Sequence, residues 1–251
     1  MAGMTDSCSP HDAIHWAKSY PFGHPRESYL YRDGGPRQLD EPRRAIKGRV
    51  PVLASGSNAA PQQLARKFEN YVPGAEIPVI RSDLADFDSV YNAHITTYGS
   101  VPATLFPSPG TVLETFITWL DHKQLAVMHA TEQPGINYQF AELKGLILEV
   151  AGVGVLDAAY AYISVVGCLS HDGAPVSLAE VAARGRQFAA RGQGEIQAVI
   201  RERIAPGTSL DPFILENIEN HDLRRARSAT LAETAHPFRY AGMKVIELDE
   251  S

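Results

Sequence analysis

The feature that most constrains the fold is a glycine turn between an apolar strand and a helix, in the segment PVLASGSNAAPQQL at residues 51–64. Asn58 and Pro61 are residue types that favour the first positions of a helix. N–H groups at a helix start lack intrahelical partners and can converge on a carboxylate or phosphate. The segment therefore predicts an anion-binding loop formed by Ser55, Gly56, Ser57 and Asn58.

The same four residues are also compatible with an ordinary strand-to-helix turn. In that interpretation Gly56 lets the backbone turn tightly, and Ser57 or Asn58 only caps the helix. A four-residue glycine motif is too short to decide between the two alternatives. Both stay open until other parts of the chain are considered.

Composition predicts an ordinary soluble globular protein. With 251 residues, 44% hydrophobic and 21% charged, the chain can bury one sizeable core, alone or with a small appendage. The formal net charge of −6 argues against nonspecific binding to nucleic acid or to anionic membranes, since both require a basic surface. We therefore expect no nucleic-acid or membrane partner.

Cysteine usage and the N-terminus predict a cytoplasmic protein. Cys8 and Cys168 lie far apart and form no metal-ligand spacing, so neither a disulfide framework nor a zinc site is expected. The N-terminus has no basic start followed by an apolar run. The apolar region 145–169 contains Glu149, Asp157 and several glycines, and it is more typical of buried strands than of a membrane span.

Clusters of turn-forming residues divide the chain into three parts. Residues 1–48, rich in Pro, Gly, Arg and Tyr, predict an extended arm, residues 49–170 a barrel, and residues 171–251 a helical region packed on it. Predicted strands are 50–54, 89–97, 112–120, 138–150 and 159–169. A short helix is predicted at 121–130. The fold class is thus α+β, a small mixed β-barrel with additional C-terminal helices.

Two helix starts are predicted in the C-terminal region. The sequence SLAE at 177–180 has the form of a capping box, in which Ser177 and Glu180 satisfy free N–H groups at a helix start. Asp211 followed by Pro212 indicates the second start, and Phe213, Ile214 and Ile218 would form its apolar face.

The order of several motifs resembles the γ-glutamylcyclotransferase family. After the SGSN loop come PATLFPSPG, the strand-like VLETFITWL, the helix candidate DHKQLAVMHA and then TEQPGINY. In that family a YGSN-type loop follows the first strand, an AT(I/L)-x-x-SPG segment precedes a long strand, and a catalytic glutamate precedes a Gly-x-x-x-Tyr-like stretch. The resemblance covers roughly residues 50–150 and depends on the motif order.

The resemblance assigns a role to individual residues. The family loop corresponds to Ser55, Gly56, Ser57 and Asn58 as substrate-binding residues, the catalytic glutamate to Glu132, and the following tyrosine to Tyr138 as a further substrate-binding residue. This chain departs from the family at Ser55, where the family has tyrosine. The substitution removes an aromatic wall from the expected pocket, which bears on the substrate more than on the fold.

The implied reaction is an intramolecular cyclisation without cofactor or metal. The α-amine of a γ-glutamyl compound attacks its own γ-carbonyl, which releases an amine or amino acid and leaves 5-oxoproline. Holding the substrate in near-attack geometry contributes several kcal/mol, on the order of 7–11 in favourable cases. Glu132 would take the proton of the amine and pass it to the leaving nitrogen.

Other residue types invite weaker interpretations. His129 and Glu132 lie three residues apart, as two metal ligands on one helix could, but no third ligand stands at a recognisable spacing and no metal is expected. His94 is interpreted as a core histidine, and Trp119 as a core residue of its strand.

Two alternatives to cyclisation stay open. An amidohydrolase acting on a non-glutamyl amide is motivated by Ser55, and a non-catalytic binding or scaffold protein is motivated by the share of the chain outside the resemblance. In either enzyme the partner is a small-molecule amide, and the sequence leaves a homodimer open.

Overall fold

A computed structural model describes residues 9–132, 135 and 137–248. Its long strands and the helices between them build an α+β fold, as predicted. Within the described residues the helices are α1 (Pro10–Lys18), α2 (Pro42–Ala45), α3 (Pro61–Lys67), α4 (His122–Glu132), α5 (Gln193–Ile204), α6 (Leu210–Glu219) and α7 (His221–Ala232). A 3₁₀ turn at Ser57–Ala59 precedes α3.

The long strands carry most of the sheet, and short strands extend its edges. In chain order the strands are β1 (Tyr29–Arg32), β2 (Gly35–Arg37), β3 (Val50–Leu53), β4 (Ile77–Tyr91), β5 (Ala103–Leu120), β6 (Tyr138–Val150), β7 (Gly154–Ser164), β8 (Ser170–His171), β9 (Ala174–Pro175), β10 (Ser177–Leu178), β11 (Ala183–Arg184), β12 (Ala190–Arg191) and β13 (Met243–Val245).

The barrel closes because β4 pairs with strands on both of its sides. The strand order β5-β3-β7-β6-β4 returns to β5 through an antiparallel β4–β5 ladder. β3 and β7 pair in parallel, whereas the other neighbours in this ring are antiparallel, which makes the barrel mixed. Closure removes the free edges that an open sheet would expose.

Burial follows the alternation expected of barrel strands. Along β5, Leu113, Thr115 and Ile117 are almost fully buried, while Glu114 between them is partly exposed. One apolar cluster fills the barrel and extends to the C-terminal helices, and a second joins α3 and α4 to residues of β1 and of all five barrel strands. The second cluster holds α3 and α4 side by side, which places the ends of both helices at the candidate site.

The strand predictions are confirmed to different extents. The predicted strands at 50–54 and 138–150 correspond to β3 and β6, and the predicted helix at 121–130 corresponds to α4. β5 begins at Ala103, nine residues before the predicted start, and β7 is shifted towards the N-terminus relative to 159–169. The prediction for 89–97 was largely wrong, because the strand there is the end of β4.

The N-terminal segment contributes regular elements to the barrel surface. Ser9 caps α1 by accepting the N–H of Asp12, and β1 pairs with β2 on one side and with β4 on the other. The backbone then passes through α2 into β3. The division of the chain into arm, barrel and C-terminal region stays a prediction about domains.

The predicted capping box at residues 177–180 was wrong. Ser177 lies in β10, where its hydroxyl donates to Asp88 Oδ2 over 2.6 Å, and Glu180 accepts the N–H of Gln193 at the start of α5. A distant acidic partner therefore overrides the local capping preference of the serine. The second predicted start is confirmed as α6, which begins two residues earlier than expected, after Ser209.

Candidate active site

The Glu132 carboxylate lies against the glycine loop that follows β3. Asn58 Nδ2 donates to Glu132 Oε1 over 3.0 Å, and the Lys67 ammonium donates to the same oxygen. The side chains of Glu132 and Lys67 are only 12% and 3% exposed. The structure thus brings the predicted acid into contact with the last residue of the predicted loop, 74 positions away in the chain.

Gly56 is the point where the N-terminal segment reaches the loop. A Cβ atom at this position would lie 2.1 Å from the hydroxyl oxygen of Tyr20 and 3.1 Å from the Cβ of Ala103. No carbon atom can approach an oxygen so closely. Gly56 is therefore required by the approach of the Tyr20 side chain, whereas the sequence had suggested a requirement of the turn itself.

The Tyr20 hydroxyl lies where the predicted anion-binding loop opens. It accepts the N–H of Ala103 over 2.8 Å. Burial raises its pKa, and the N–H groups of Ala103 and Ser57 oppose that rise. An aromatic side chain thus stands beside the loop although residue 55 is serine, and it comes from the segment after α1.

Ser55 and Ser57 are held mainly through their backbones. The carbonyl of Ser55 accepts a hydrogen bond from the Ser89 hydroxyl of β4, and the carbonyl of Ser57 accepts the N–H of Ala60 over 2.9 Å. Ser57 is buried, and Ser55 is half-buried. These bonds fix the loop between the barrel wall and the start of α3.

Tyr138 reaches the same part of the site from the first position of β6. Its hydroxyl donates to the carbonyl of Ala103 over 3.3 Å, so one residue of β5 bonds to both Tyr20 and Tyr138. Ala103 belongs to the PATLF segment. The structure therefore brings Asn58 to Glu132 and both Gly56 and Tyr138 to Ala103, while Ser55 and Ser57 lie in the same loop through their backbone bonds. Residues 133, 134 and 136 of the TEQPGINY motif lie outside the described residues.

Tyrosine hydroxyls around Glu132 are kept neutral by burial. Burial raises the pKa of Tyr98 to about 12, and it raises the pKa of Tyr138 well above its ordinary value. The charge of Glu132 adds to both shifts. Tyr162 on β7 is affected in the same way. At neutral pH these groups are O–H donors without charge, which suits stabilisation of a developing oxyanion.

His94 also faces this cluster, in the loop after β4. Burial lowers its pKa to about 4, against the opposing effect of Glu132, so the ring is neutral near pH 7. Its ring lies edge-on to Tyr138, with centroids 6.2 Å apart. Nδ1 is buried and has no hydrogen-bond partner among the described residues. The sequence had suggested a satisfied core histidine, whereas this one has an unpartnered ring nitrogen.

His129, considered above as one of two possible metal ligands on a helix, pairs with a tyrosine. Its Nδ1 lies 2.7 Å from the Tyr162 hydroxyl, and burial lowers its pKa. Over residues 9–132, 135 and 137–248, the structure groups no three His, Cys, Asp or Glu side chains as a metal site would require. Cys8 lies outside the described residues, and Cys168 is buried.

Sequence reasoning missed two contributors to the site. Lys67 follows Leu64 by three residues on α3, so a buried-face lysine could have been noticed from helical spacing. Tyr20 carries no such signal, because nothing local predicts that the chain after α1 passes over the loop. Only the tertiary structure reveals that contact.

No protein-family model matches the chain. No curated protein sequence matches it either. The comparison with solved structures does find similar proteins.

The chain is similar to a solved γ-glutamyl cyclotransferase. The two share 14% identity with a TM-score of 0.38, and the match covers 79% of this chain and 94% of the other. An uncharacterized Homo sapiens protein matches at 14% identity and a TM-score of 0.37 over 88% of this chain and 95% of its own. An Arabidopsis thaliana protein solved in solution matches at 15% and 0.34, covering 47% and 70%.

With TM-scores of 0.34–0.38, these likenesses carry no argument about this chain's family or activity. None of the helices in the described part of the chain has the length and apolar character that crossing a bilayer requires.

Proposed function

We propose that the protein is a γ-glutamylcyclotransferase-like enzyme that cyclises a γ-glutamyl compound to 5-oxoproline. The observation that supports this most is the contact between Glu132 Oε1 and Asn58 Nδ2, a buried carboxylate directly beside the loop. A lone glutamate on a surface would have no such partner. The required substrate is a small molecule, and no protein nucleophile takes part.

The chemistry needs one proton acceptor and a set of neutral donors. The substrate amine gives a proton to Glu132, its nitrogen attacks the γ-carbonyl carbon, and the C–N bond to the leaving group breaks. The leaving nitrogen takes the proton from Glu132, so no water is consumed. The oxyanion that forms in between could be stabilised by the neutral hydroxyl of Tyr98, whereas Tyr138 and Tyr162 would first have to give up their hydrogen bonds to the Ala103 carbonyl and to His129.

Glu132→Gln tests the proposal directly. The amide keeps the size of the side chain and a hydrogen-bonding oxygen but cannot accept a proton, so we expect turnover to fall by roughly 10²–10⁴-fold. The assay is mass spectrometry of 5-oxoproline after incubation with a panel of γ-glutamyl amino acids, peptides and amines. Circular dichroism of the variant confirms that the fold is kept.

A matched control is Glu149→Gln, which changes an exposed glutamate of β6. It should keep the wild-type rate. Equal rates for Glu132→Gln and the wild type would contradict a catalytic role for Glu132. If no γ-glutamyl compound yields 5-oxoproline, the binding or scaffold alternative is favoured.

Hydrolysis of a non-glutamyl amide is the second candidate, because Ser55 replaces the family tyrosine. Reaction in ¹⁸O-labelled water distinguishes the two. Cyclisation leaves the product unlabelled, whereas hydrolysis places the label in the acid that is released.

A further inference from the structure

The carboxylate of Glu132 is held by a cation that the motif comparison does not include. Lys67 is the last residue of α3, and its ammonium donates to Glu132 Oε1 and lies 3.5 Å from Met128 Sδ. Since only 3% of the lysine side chain is exposed, water contributes little to its solvation. The two residues therefore form a buried ion pair in which each charge compensates the other.

We propose that Lys67 is a positioning residue that keeps Glu132 ionised and holds Oε1, so that Oε2 is the oxygen that takes the substrate proton. Both described donors to the carboxylate, Asn58 and Lys67, bind Oε1. The consequence for catalysis rests on the proposed cyclotransferase function. The ion pair itself can be tested without any turnover.

The position of Glu132 makes a neighbouring cation necessary. Glu132 is the last residue of α4, where the helix dipole disfavours a negative charge. The side chain is also largely buried, which disfavours the charged form further. An ionised carboxylate at this place needs compensation from outside its own helix, and Lys67 of α3 provides it.

Among the described residues, the tyrosines and histidines near the pair supply no positive charge that would compensate the carboxylate. Burial keeps the tyrosines protonated and His94 deprotonated at neutral pH, and burial also lowers the pKa of His129 on the same helix as Glu132. Burial lowers the pKa of Lys67, and Glu132 opposes that shift. Arg66, which precedes Lys67 on α3 and stacks over the Tyr98 ring at 5.6 Å, adds a smaller lowering effect. Besides the pKa of Lys67, the charge of Glu132 raises the pKa values of five described groups: Tyr20, His94, Tyr98, Tyr138 and Tyr162.

Removal of Lys67 should therefore change the protonation of Glu132. In Lys67→Met the carboxylate loses its cation and should bind a proton at a higher pH than in the wild type. The readout is the ¹³C chemical shift of side-chain carboxyl groups in protein labelled at glutamate, followed against pH. The Glu132 signal is assigned by its absence from Glu132→Gln.

We expect the midpoint of the Glu132 signal to rise by about 1–3 pH units in Lys67→Met. Lys67→Gln, which keeps a donor without charge, should show the same rise. Lys67→Arg keeps the charge and should restore a midpoint near the wild-type one. Lys123→Met, which removes an exposed lysine of α4, is the control and should leave it unchanged. An unchanged midpoint in both Lys67→Met and Lys67→Gln would overturn the proposal.

The pH dependence of kcat/KM provides the second measurement. The acid limb should move upward in Lys67→Met by the same interval, so the loss of rate should be largest at pH values below both limbs, and the rate should recover as the pH rises. A loss of equal size at every pH would assign Lys67 a purely structural role and contradict the proposal. If the wild type cyclises no substrate, the proposed function fails, while the ¹³C titration still decides the ion pair.

Discussion

At the scale of single residues, the contact between Gly56 and Tyr20 controls how the N-terminal segment meets the loop. The Tyr20 hydroxyl accepts the N–H of Ala103 and lies where a side chain at residue 56 would have to start. The two residues should therefore depend on each other in stability. A double-mutant cycle measures such a dependence.

Gly56→Ala should destabilise the protein by about 1–3 kcal/mol, because the new methyl group collides with the Tyr20 hydroxyl. Tyr20→Phe should cost about 1–3 kcal/mol by leaving the Ala103 N–H unpaired. In the Tyr20→Phe background the alanine has no hydroxyl to displace, so the double variant should be more stable than the sum of the two effects predicts. Urea denaturation gives the free energy of unfolding of the wild type, the two single variants and the double variant.

Additive effects in that cycle would show that the loop and the N-terminal segment do not constrain each other. Gly194→Ala is a suitable control, since nothing lies within 4 Å of a Cβ atom at that position. It should be neutral or slightly stabilising within α5.

At the scale of secondary-structure elements, a buried ion pair joins β4 to the segment between β10 and β12. The Arg186 guanidinium bonds to both oxygens of Asp88 at 2.9–3.2 Å, and Asp88 is fully buried. Ser177 of β10 donates to the same carboxylate. The arginine also donates to the carbonyl of Val181 over 2.8 Å. This network explains why Ser177 lies in β10 and does not start a helix.

Arg186→Met should destabilise the protein by about 3–5 kcal/mol, because it leaves the carboxylate of Asp88 buried without its cation. The matched control is Arg184→Met. Arg184 pairs with Asp83 and Glu114, but 57% of its side chain is exposed, so we expect a loss of at most about 1 kcal/mol. Denaturation midpoints with unchanged m-values provide the comparison. Similar losses for the two variants would contradict the role assigned to the buried pair.

At the scale of the whole molecule, two half-buried histidines with buried ring nitrogens should make the protein sensitive to acid. His24 lies after α1 beside Phe116 of β5, and both of its ring nitrogens are buried without a partner among the described residues. Burial lowers the pKa of both His24 and His94 from 6.5 to about 4. His24 packs against Phe116 and His94 against Tyr138, so the two rings share no aromatic partner and we expect their effects to add.

The sign of the effect follows from proton binding. Between pH 6.5 and about 4 the unfolded chain binds these two protons and the folded chain does not. The free energy of unfolding should therefore fall as the pH falls through this window, by up to about 3 kcal/mol for each histidine. Above pH 6.5 the contribution of both neutral histidines to the free energy of unfolding should be fully present.

Urea denaturation across this pH range tests the assignment. His24→Phe and His94→Phe should each reduce the slope of the free energy of unfolding against pH, and the double variant should reduce it further. His221→Phe changes an exposed histidine of α7 and should keep the wild-type slope. A wild-type slope in the double variant would show that other groups cause the acid sensitivity.

Strands rich in apolar and β-branched residues could be predicted from the sequence. β6 was located at both ends, Tyr138 and Val150, although its ladder with β7 shifts register between Lys144 and Leu148. β4 was mostly missed because Asp86 adopts a positive φ of 63° and the ladder with β5 shifts register between Ala85 and Phe87. β5 begins before the PSPG sequence, which looked like a turn but lies opposite that bulge.

By itself, the sequence predicted the α+β class and the loop after the first barrel strand, because both depend on residues that are close together in the chain, whereas the motif order predicted Glu132 as the acid, and its role stays a prediction. Only the tertiary structure decided that Lys67 holds Glu132 and that Tyr20 covers Gly56. These contacts join residues separated by 65 and 36 positions (132 − 67 and 56 − 20). Their existence depends on which faces of α3, α4 and the N-terminal segment pack together, and local preferences of the chain do not contain that information.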